Sequence, residues 1–274
     1  MVSTQLLNRV RYTFLLVPLV AALAGCDLSV GNLTERATEE WSRSYPLTAG
    51  GEIRIGNTNG RVEVEGVEGA TTVEVKAEKI ARSATETGAK ELLPRITIKE
   101  DIQPDRVTVE TEKMNGIMIG AAFEVRYHVR APKGAVVNVT TTNGGIGLTA
   151  LAGKIIAHTT NGGVTAKELT GGIEARSTNG GVSIDFARLG TERVSARTTN
   201  GGVTIMLPDS AKADVTASCT NGGIIVSPDL TLAVTEQSRR RLEGRLNGGG
   251  TSIDLQTTNG GVRIKPRQPA EKAG

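Results

Sequence analysis

Few residues of this 274-residue chain have the types and spacing that chemistry requires. The two histidines, His128 and His158, lack partners at metal-ligand spacing. Cleavage of a polysaccharide needs carboxylates paired within reach, or acids holding Ca²⁺ beside a base. Asp185 and Asp254 instead stand coils apart in a repeated pattern. There is no Gly-x-Ser-x-Gly elbow, no phosphate-binding loop and no nonapeptide calcium repeat. No catalytic residue, metal or cofactor is expected. Two features remain. Cys26 ends the tetrad Leu23-Ala24-Gly25-Cys26, and His158, Arg176 and Arg197 recur at one place in a repeat.

Arg9 and Arg11 followed by the apolar stretch Tyr12–Ala22 read as a signal peptide over residues 1–25. The tetrad resembles a bacterial lipobox, which implies cleavage before Cys26 and a lipid on its thiol. Anchoring to a membrane within the cell envelope follows, on the periplasmic side or at the cell surface. An ordinary secretory peptide is the alternative. Removing residues 1–25 takes away Arg9 and Arg11 and no acid, so the formal charge falls from +3 to +1. A near-neutral chain carries no electrostatic footprint for nucleic acid. Residues 26–44 read as the lipidated cysteine and a polar tether.

The element that must position everything else is the phrase Thr-Thr-Asn-Gly-Gly. It stands intact at Thr141–Gly145, Thr159–Gly163, Thr198–Gly202 and Thr257–Gly261, and with one change at Ser177–Gly181 and Cys219–Gly223. Its asparagines, Asn143, Asn161, Asn179, Asn200, Asn221 and Asn259, recur with a period near 20, the mark of a solenoid. Six and four residues before each Asn lie aliphatic residues and two before it Thr, Ser or Cys, and three and five after it lie aliphatic ones. Each set alternates with period two and predicts a strand. The expected fold is all-β: a single β-solenoid of two-strand coils with Asn-Gly-Gly corners. A hairpin at each Asn-Gly is the rival. It fails because every column keeps its residue type from coil to coil.

Asn59, in the weaker phrase Asn57–Gly60, marks a first, atypical coil, so the solenoid domain spans 45–265. Residues 132–265 hold the regular repeats. Residues 61–131 read as longer coils or a meander with four strand candidates and a short helix within Ser83–Leu93. Residues 227–246, with Arg239, Arg240, Arg241 and Arg245, read as a projecting loop or helix, and 266–274 as a disordered tail. Cys219 stands in an inward column and reads as a packed small residue. The seven asparagines are expected to form an inward ladder, each amide bonded to its neighbours above and below. A ligand-binding row is the functional alternative.

Three residues before each Asn is an outward column: Thr140, His158, Arg176, Arg197, Ser218 and Gln256. Stacking would set its basic groups about 5 Å apart. Such a strip fits an acidic glycan or an acidic partner face, or it is solvated surface compensated by Glu174.

The opening Gly50–Gly60, the step Ala131-Pro132-Lys133-Gly134 and the closing Leu246-Asn247-Gly248-Gly249 together resemble the bacterial domain of unknown function called a putative adhesin. The resemblance covers roughly Tyr45 to Lys265. It implies a β-solenoid at the cell surface and carries no catalytic residues. Two functions are consistent with it. One is a non-catalytic, adhesin-like module binding glycan or an envelope component; the other is a scaffold or stress-sensing partner of a second envelope protein.

Overall fold

The computed structural model describes residues 33–112 and 120–268. The signal peptide, Cys26 and residues 269–274 of the expected tail lie outside them. The chain opens with β1 (Glu35–Pro46), β2 (Glu52–Asn59), β3 (Val62–Val67) and β4 (Thr72–Ser83). Helix α1 (Glu86–Leu92) and a 3-10 turn (Leu93–Arg95) precede β5 (Ile98–Gln103), β6 (Arg106–Thr111) and β7 (Ala121–Pro132). The repeats then supply β8 (Val136–Asn143) with β9 (Ile146–Thr149), β10 (Ile155–Asn161) with β11 (Val164–Leu169), and β12 (Ile173–Asn179) with β13 (Val182–Phe186). Next come β14 (Val194–Asn200) with β15 (Val203–Leu207) and β16 (Ala213–Asn221) with β17 (Ile224–Val226). The hairpin β18 (Leu232–Gln237) and β19 (Arg241–Leu246) leads to the last coil, β20 (Thr251–Asn259) with β21 (Val262–Pro266).

Strands before the corner form one sheet and strands after it the other, as the period-two pattern requires. Sheet I runs β1-β4-β7-β3-β9-β11-β13-β15-β21-β17, and sheet II runs β18-β19-β16-β20-β14-β12-β10-β8-β2-β6-β5. Within the coils every pairing is parallel and like meets like. Ala157 lies beside Val139 and Ala175, and Asn161 beside Asn143 and Asn179. Parallel in-register pairing excludes the hairpin reading. Ile, Val, Leu and Ala of both inner faces fill the space between the sheets, with Tyr127 and Phe186 the largest fully buried side chains.

The corner holds the coils in register. Gly144 N–H donates to Asn161 O, Gly162 N–H to Asn179 O and Gly180 N–H to Asn200 O, each at 2.8–2.9 Å. Corners approach so closely that a Cβ on Gly162 would stand 2.2 Å from the carbonyl oxygen of Gly144, which makes glycine obligatory there. The inner hydroxyl column adds a second tie. Thr159, Ser177, Thr198 and Thr257 donate to the carbonyls of Gly144, Gly162, Gly180 and Gly201. In the first coil Asn57 replaces this hydroxyl, and its amide donates to Asn59 O, Gly60 O and Val125 O.

The asparagine ladder is continuous, with Nδ2 of Asn143, Asn161, Asn179, Asn200, Asn259 and Asn221 each donating to Oδ1 of the preceding rung. It does not point inward. Asn143 to Asn259 are exposed and Asn59 half-buried. Strict alternation would bury them, but it breaks over the last two residues of each strand, the Thr and the Asn, which are both exposed.

The stack also departs from chain order. The last coil is inserted, with β20 pairing β14 on one side and β16 on the other, and β21 lying between β15 and β17. The rungs therefore run Asn200, Asn259, Asn221. Residues 227–246 form the β18–β19 hairpin, antiparallel to β16, and not a loop or helix. Its alternating Leu242 and Leu246 are buried and cap the end of the core. The tether is shorter than expected, because Glu35–Ser44 belongs to β1, which pairs antiparallel with β4 along its whole length. Tyr45 is buried, while Trp41 packs partly buried against the core. Of residues 61–131, β3 completes the first coil beside β9, β6 and β7 run parallel to β2 and β3, and β4 and β5 pair antiparallel, so the region continues both sheets as a meander and not as regular coils. It lengthens sheet I through β7 and β4 and sheet II through β6 and β5.

At this end the outermost strands of the two sheets are clasped together. Tyr45 Oη donates to Glu100 Oε2 at 2.5 Å, and the Arg43 guanidinium, 5.2 Å from the Trp41 ring, lies 4.0 Å from Glu100. Burial, with the bond to Glu100 second, raises the Tyr45 pKa well above its ordinary value. Burial also pushes the Tyr127 hydroxyl, 2.8 Å from Thr111 Oγ1, up to about 12.

Two predictions follow from these contacts. Asn57→Ala removes four bonds at a buried corner and costs about 1–3 kcal/mol; Asn179→Ala removes two exposed ones and costs about 0.5–1.5 kcal/mol. Asn221→Ala, on the last rung, costs less than either. Urea midpoints check the order, and an Asn179 variant as costly as Asn57→Ala contradicts the exposed ladder. Because both tyrosine pKa values are raised, the folded state holds protons that the unfolded state loses near pH 10. Stability is complete below that pH and falls as pH rises through about 12 for Tyr127. Midpoints measured at pH 9 and pH 11 should differ in the parent, with the gap narrowing in Tyr127→Phe.

Candidate functional site

The outer face of sheet II is where the column in question lies. Each coil contributes two outward side chains just before its corner, one three residues before the Asn and one immediately before it. Pairing sets them in rows. In stacking order the first row is Thr140, His158, Arg176, Arg197, Gln256 and Ser218. Arg241 continues it opposite Ser218 on the hairpin. The strip of His158, Arg176 and Arg197 is thus on adjacent strands, while the inserted coil places Gln256 ahead of Ser218. Of the arginine cluster, Arg241 pairs with Glu236 and Glu243, and Arg245 lies 3.5 Å from Asp214.

The basic groups are partly compensated from the side away from the corner. Arg176 lies 2.8 Å and His158 3.3 Å from Glu174 Oε1. Arg197 and Arg193 share Asp254 Oδ2 at 2.5 and 3.4 Å. Glu174 alone was the expected counter-charge; Asp254 is brought in by the inserted coil. Each arginine commits part of its planar fork to a carboxylate and keeps further N–H donors. These pairs are surface pairs and contribute little to stability.

The second row lies one residue before each Asn: Thr58, Thr142, Thr160, Thr178, Thr199, Thr258 and Thr220. All but Thr58 are exposed, and among the described residues none of these hydroxyls has a hydrogen-bond partner. The sequence reading passed over them, although an identical Thr before every Asn, at an outward position, was the available signal. Between the two rows is a hollow of about 460 Å³ reaching from Thr140 to Gln256 and Thr258. A second hollow of about 470 Å³ shares Arg176 and Arg197 and adds Lys154, Glu174, Glu192 and Arg193.

Among the described residues no group of His, Cys, Asp and Glu is placed to hold a metal ion. His128 and His158 stand apart, each 3.3–3.7 Å from a glutamate. Asp185 is engaged by Arg267 at 3.1 Å, far from Asp254 and its arginines. Cys219 is free and buried, its Sγ 3.9 Å from Arg239 O. No described helix is long and apolar enough to cross a membrane.

A parallel β-solenoid with a polar, grooved outer face is the class this geometry defines. Residues 47–265 match the Toastrack DUF4097 family, and the chain belongs to it. The chain is similar to a solved putative cell adhesion protein from Clostridium sporogenes, at 12% identity over 84% of this chain and 100% of that one, with a TM-score of 0.47. It is similar to a putative adhesin from Bacteroides fragilis, at 12% identity, 84% and 97% coverage and a TM-score of 0.41. A putative lipid binding protein from Parabacteroides distasonis shares 10% identity over 84% and 97% of the two chains, with a TM-score of 0.27. No curated protein matches the chain.

Proposed function

We propose that the protein is a non-catalytic binding module of the bacterial cell envelope, anchored to a membrane by a lipid on Cys26, and that it takes its ligand on the outer face of sheet II. One observation carries the reading. A row of threonines, the same in seven coils, exposed in six of them and without hydroxyl partners among the described residues, borders through Thr160, Thr178, Thr199 and Thr258 a hollow whose other wall includes Arg176 and Arg197. The fold requires inner residues and corners to repeat; it places no such demand on an outward hydroxyl that bonds to nothing. Asp185 and Asp254 are held by different arginines, and His128 and His158 stand beside different glutamates, so these groups do not gather at one site, which favours binding over catalysis. The lipid anchor rests on Leu23–Cys26 and the preceding apolar stretch.

Two measurements test the two halves. Cys26→Ser should move the protein out of the membrane fraction or leave its leader uncleaved, and unchanged attachment without a lipid label removes the anchor. Arg176→Ser with Arg197→Ser should leave the urea midpoint within about 0.5 kcal/mol of the parent, as for surface pairs, while retention on an envelope fraction drops. Full retention by the double variant means that this face is not the binding face.

A further inference from the structure

We propose that the ligand of this face is a linear, carboxylate-bearing polysaccharide, lying along the stack axis with about one sugar to each coil. The proposal rests on the assignment of the outer face of sheet II as the binding face. The hollow between the rows crosses strands β8, β10, β12, β14 and β20, so it runs along the stack for four strand spacings, about 19 Å. Its chemistry repeats over β10, β12, β14 and β20: a hydroxyl and a methyl from Thr160, Thr178, Thr199 or Thr258 on one side, a hydrogen-bonding side chain from the other row opposite, with Thr140 of β8 closing the end. A ligand that uses this repeat must itself repeat at nearly the strand spacing. An extended polysaccharide advances by a similar distance per sugar, and its hydroxyls can both donate to and accept from a Thr hydroxyl. A protein surface has such a period only where strands stack in register, as in this fold itself.

The charge comes from the middle of the hollow. Glu174 and Asp254 hold Arg176 and Arg197 from the side away from the Thr row, so the guanidinium groups stand between these carboxylates and the hollow. Their remaining N–H donors match a ligand carboxylate, which an arginine fork can take in two parallel bonds. Lys154 has no ion-pair partner among the described residues and lines the adjoining hollow beside the same arginines; that hollow also holds Glu174 and Glu192. Among the described residues no Phe, Tyr or Trp lines either hollow, and His158 is the single ring there, so the row of stacking platforms on which successive bases of single-stranded nucleic acid bind is missing.

The experiment is calorimetric titration of the full chain in detergent with oligogalacturonates from dimer to octamer, with cello-oligosaccharides of equal length as the neutral arm. Affinity should rise with length to about five sugars, the number of strands crossed, and then level off. Thr178→Val with Thr199→Val should weaken binding by about tenfold with an unchanged melting temperature, consistent with lost hydroxyl bonds. Arg176→Ser with Arg197→Ser should abolish the preference for uronates over neutral sugars. Equal affinity for neutral oligomers, affinity independent of length, or a Thr double variant that binds like the parent would each overturn the proposal. If no oligouronate binds while the envelope fraction is still retained through Arg176 and Arg197, the ligand class is wrong and the binding face stands. Loss of envelope retention from the parent itself would remove both.

Discussion

The stack depends on one backbone contact, the Gly N–H of each corner donating to the Asn carbonyl of the next. That bond fixes the rise from coil to coil at the spacing of a β-ladder, about 4.8 Å. At such a spacing a side chain's nearest neighbours are the residues at its own position one coil above and below. Columns must then be internally compatible. Ala, Val and Ile pile on one another inside, hydroxyls reach the previous corner's carbonyl, and Gly at the corner cannot accept even a methyl. The first coil shows the constraint by exception, since Asn57 meets with one amide the carbonyls that a Thr would leave unpaired. Thr141, whose Gly60 acceptor is already taken by Asn57, is the inner hydroxyl left without a bond.

This like-on-like rule is why the coils could be read from sequence. Period two on both sides of Asn-Gly-Gly located the strands, and the offsets of Ile53, Ile55, Val62 and Val64 about Asn59 located the first coil. The same rule hid what was missed. Because each column has one type, β16 could sit on β14 as well as on β20, and sequence spacing does not separate the two. Alternation also implied inward asparagines, since a period read along a strand carries no notice that the alternation breaks over its last two residues, both of which are exposed. The β1 strand went unseen for a different reason. At the sheet edge most of its residues face water, so Glu35–Ser44 is polar in composition although fully paired. In the β18–β19 hairpin the arginines drew attention, while Leu242 and Leu246 decide where it lies.

Burial explains the order that spacing could not. The inserted coil offers Ile253, Leu255, Val262 and Ile264 to the core, all at 2% exposure or less. The coil displaced to the end offers Val215, Ala217, Ile224 and Val226, of which the last two stay half-buried. Apolar area is worth about 25 cal/mol per Å², so the bulkier coil gains more from the doubly covered slot. The inner hydroxyl column agrees. Thr257 bonds the Gly201 carbonyl in the interior slot, whereas the end rung is filled by Cys219, whose thiol is a weak donor. The crossover that the insertion requires, Asn247–Gly250, is secured where it passes β16. Asn247 Nδ2 donates to Asp209 O and Ala211 O, and Thr251 N–H to Lys212 O.

The outer rows then separate what folding demands from what it permits. Strand propensity favours Thr at any half-exposed strand position, and that alone could account for a Thr row. Yet the neighbouring outward row faces the same propensity and contains Thr, His, Arg, Arg, Gln and Ser. The next one along contains Asn138, Ile156, Glu174, Ser195, Asp254 and Thr216. The buried hydroxyl column, under the tighter packing demand, admits Asn57, Ser177 and Cys219. The Asn row is uniform through seven coils because its amides bond one another; the Thr row is equally uniform with no such bonds. Propensity acts on all three outward rows alike, so it cannot be what distinguishes one of them. A demand specific to that position, beside the hollow and facing away from the chain, accounts for the difference, and a repeating ligand supplies one.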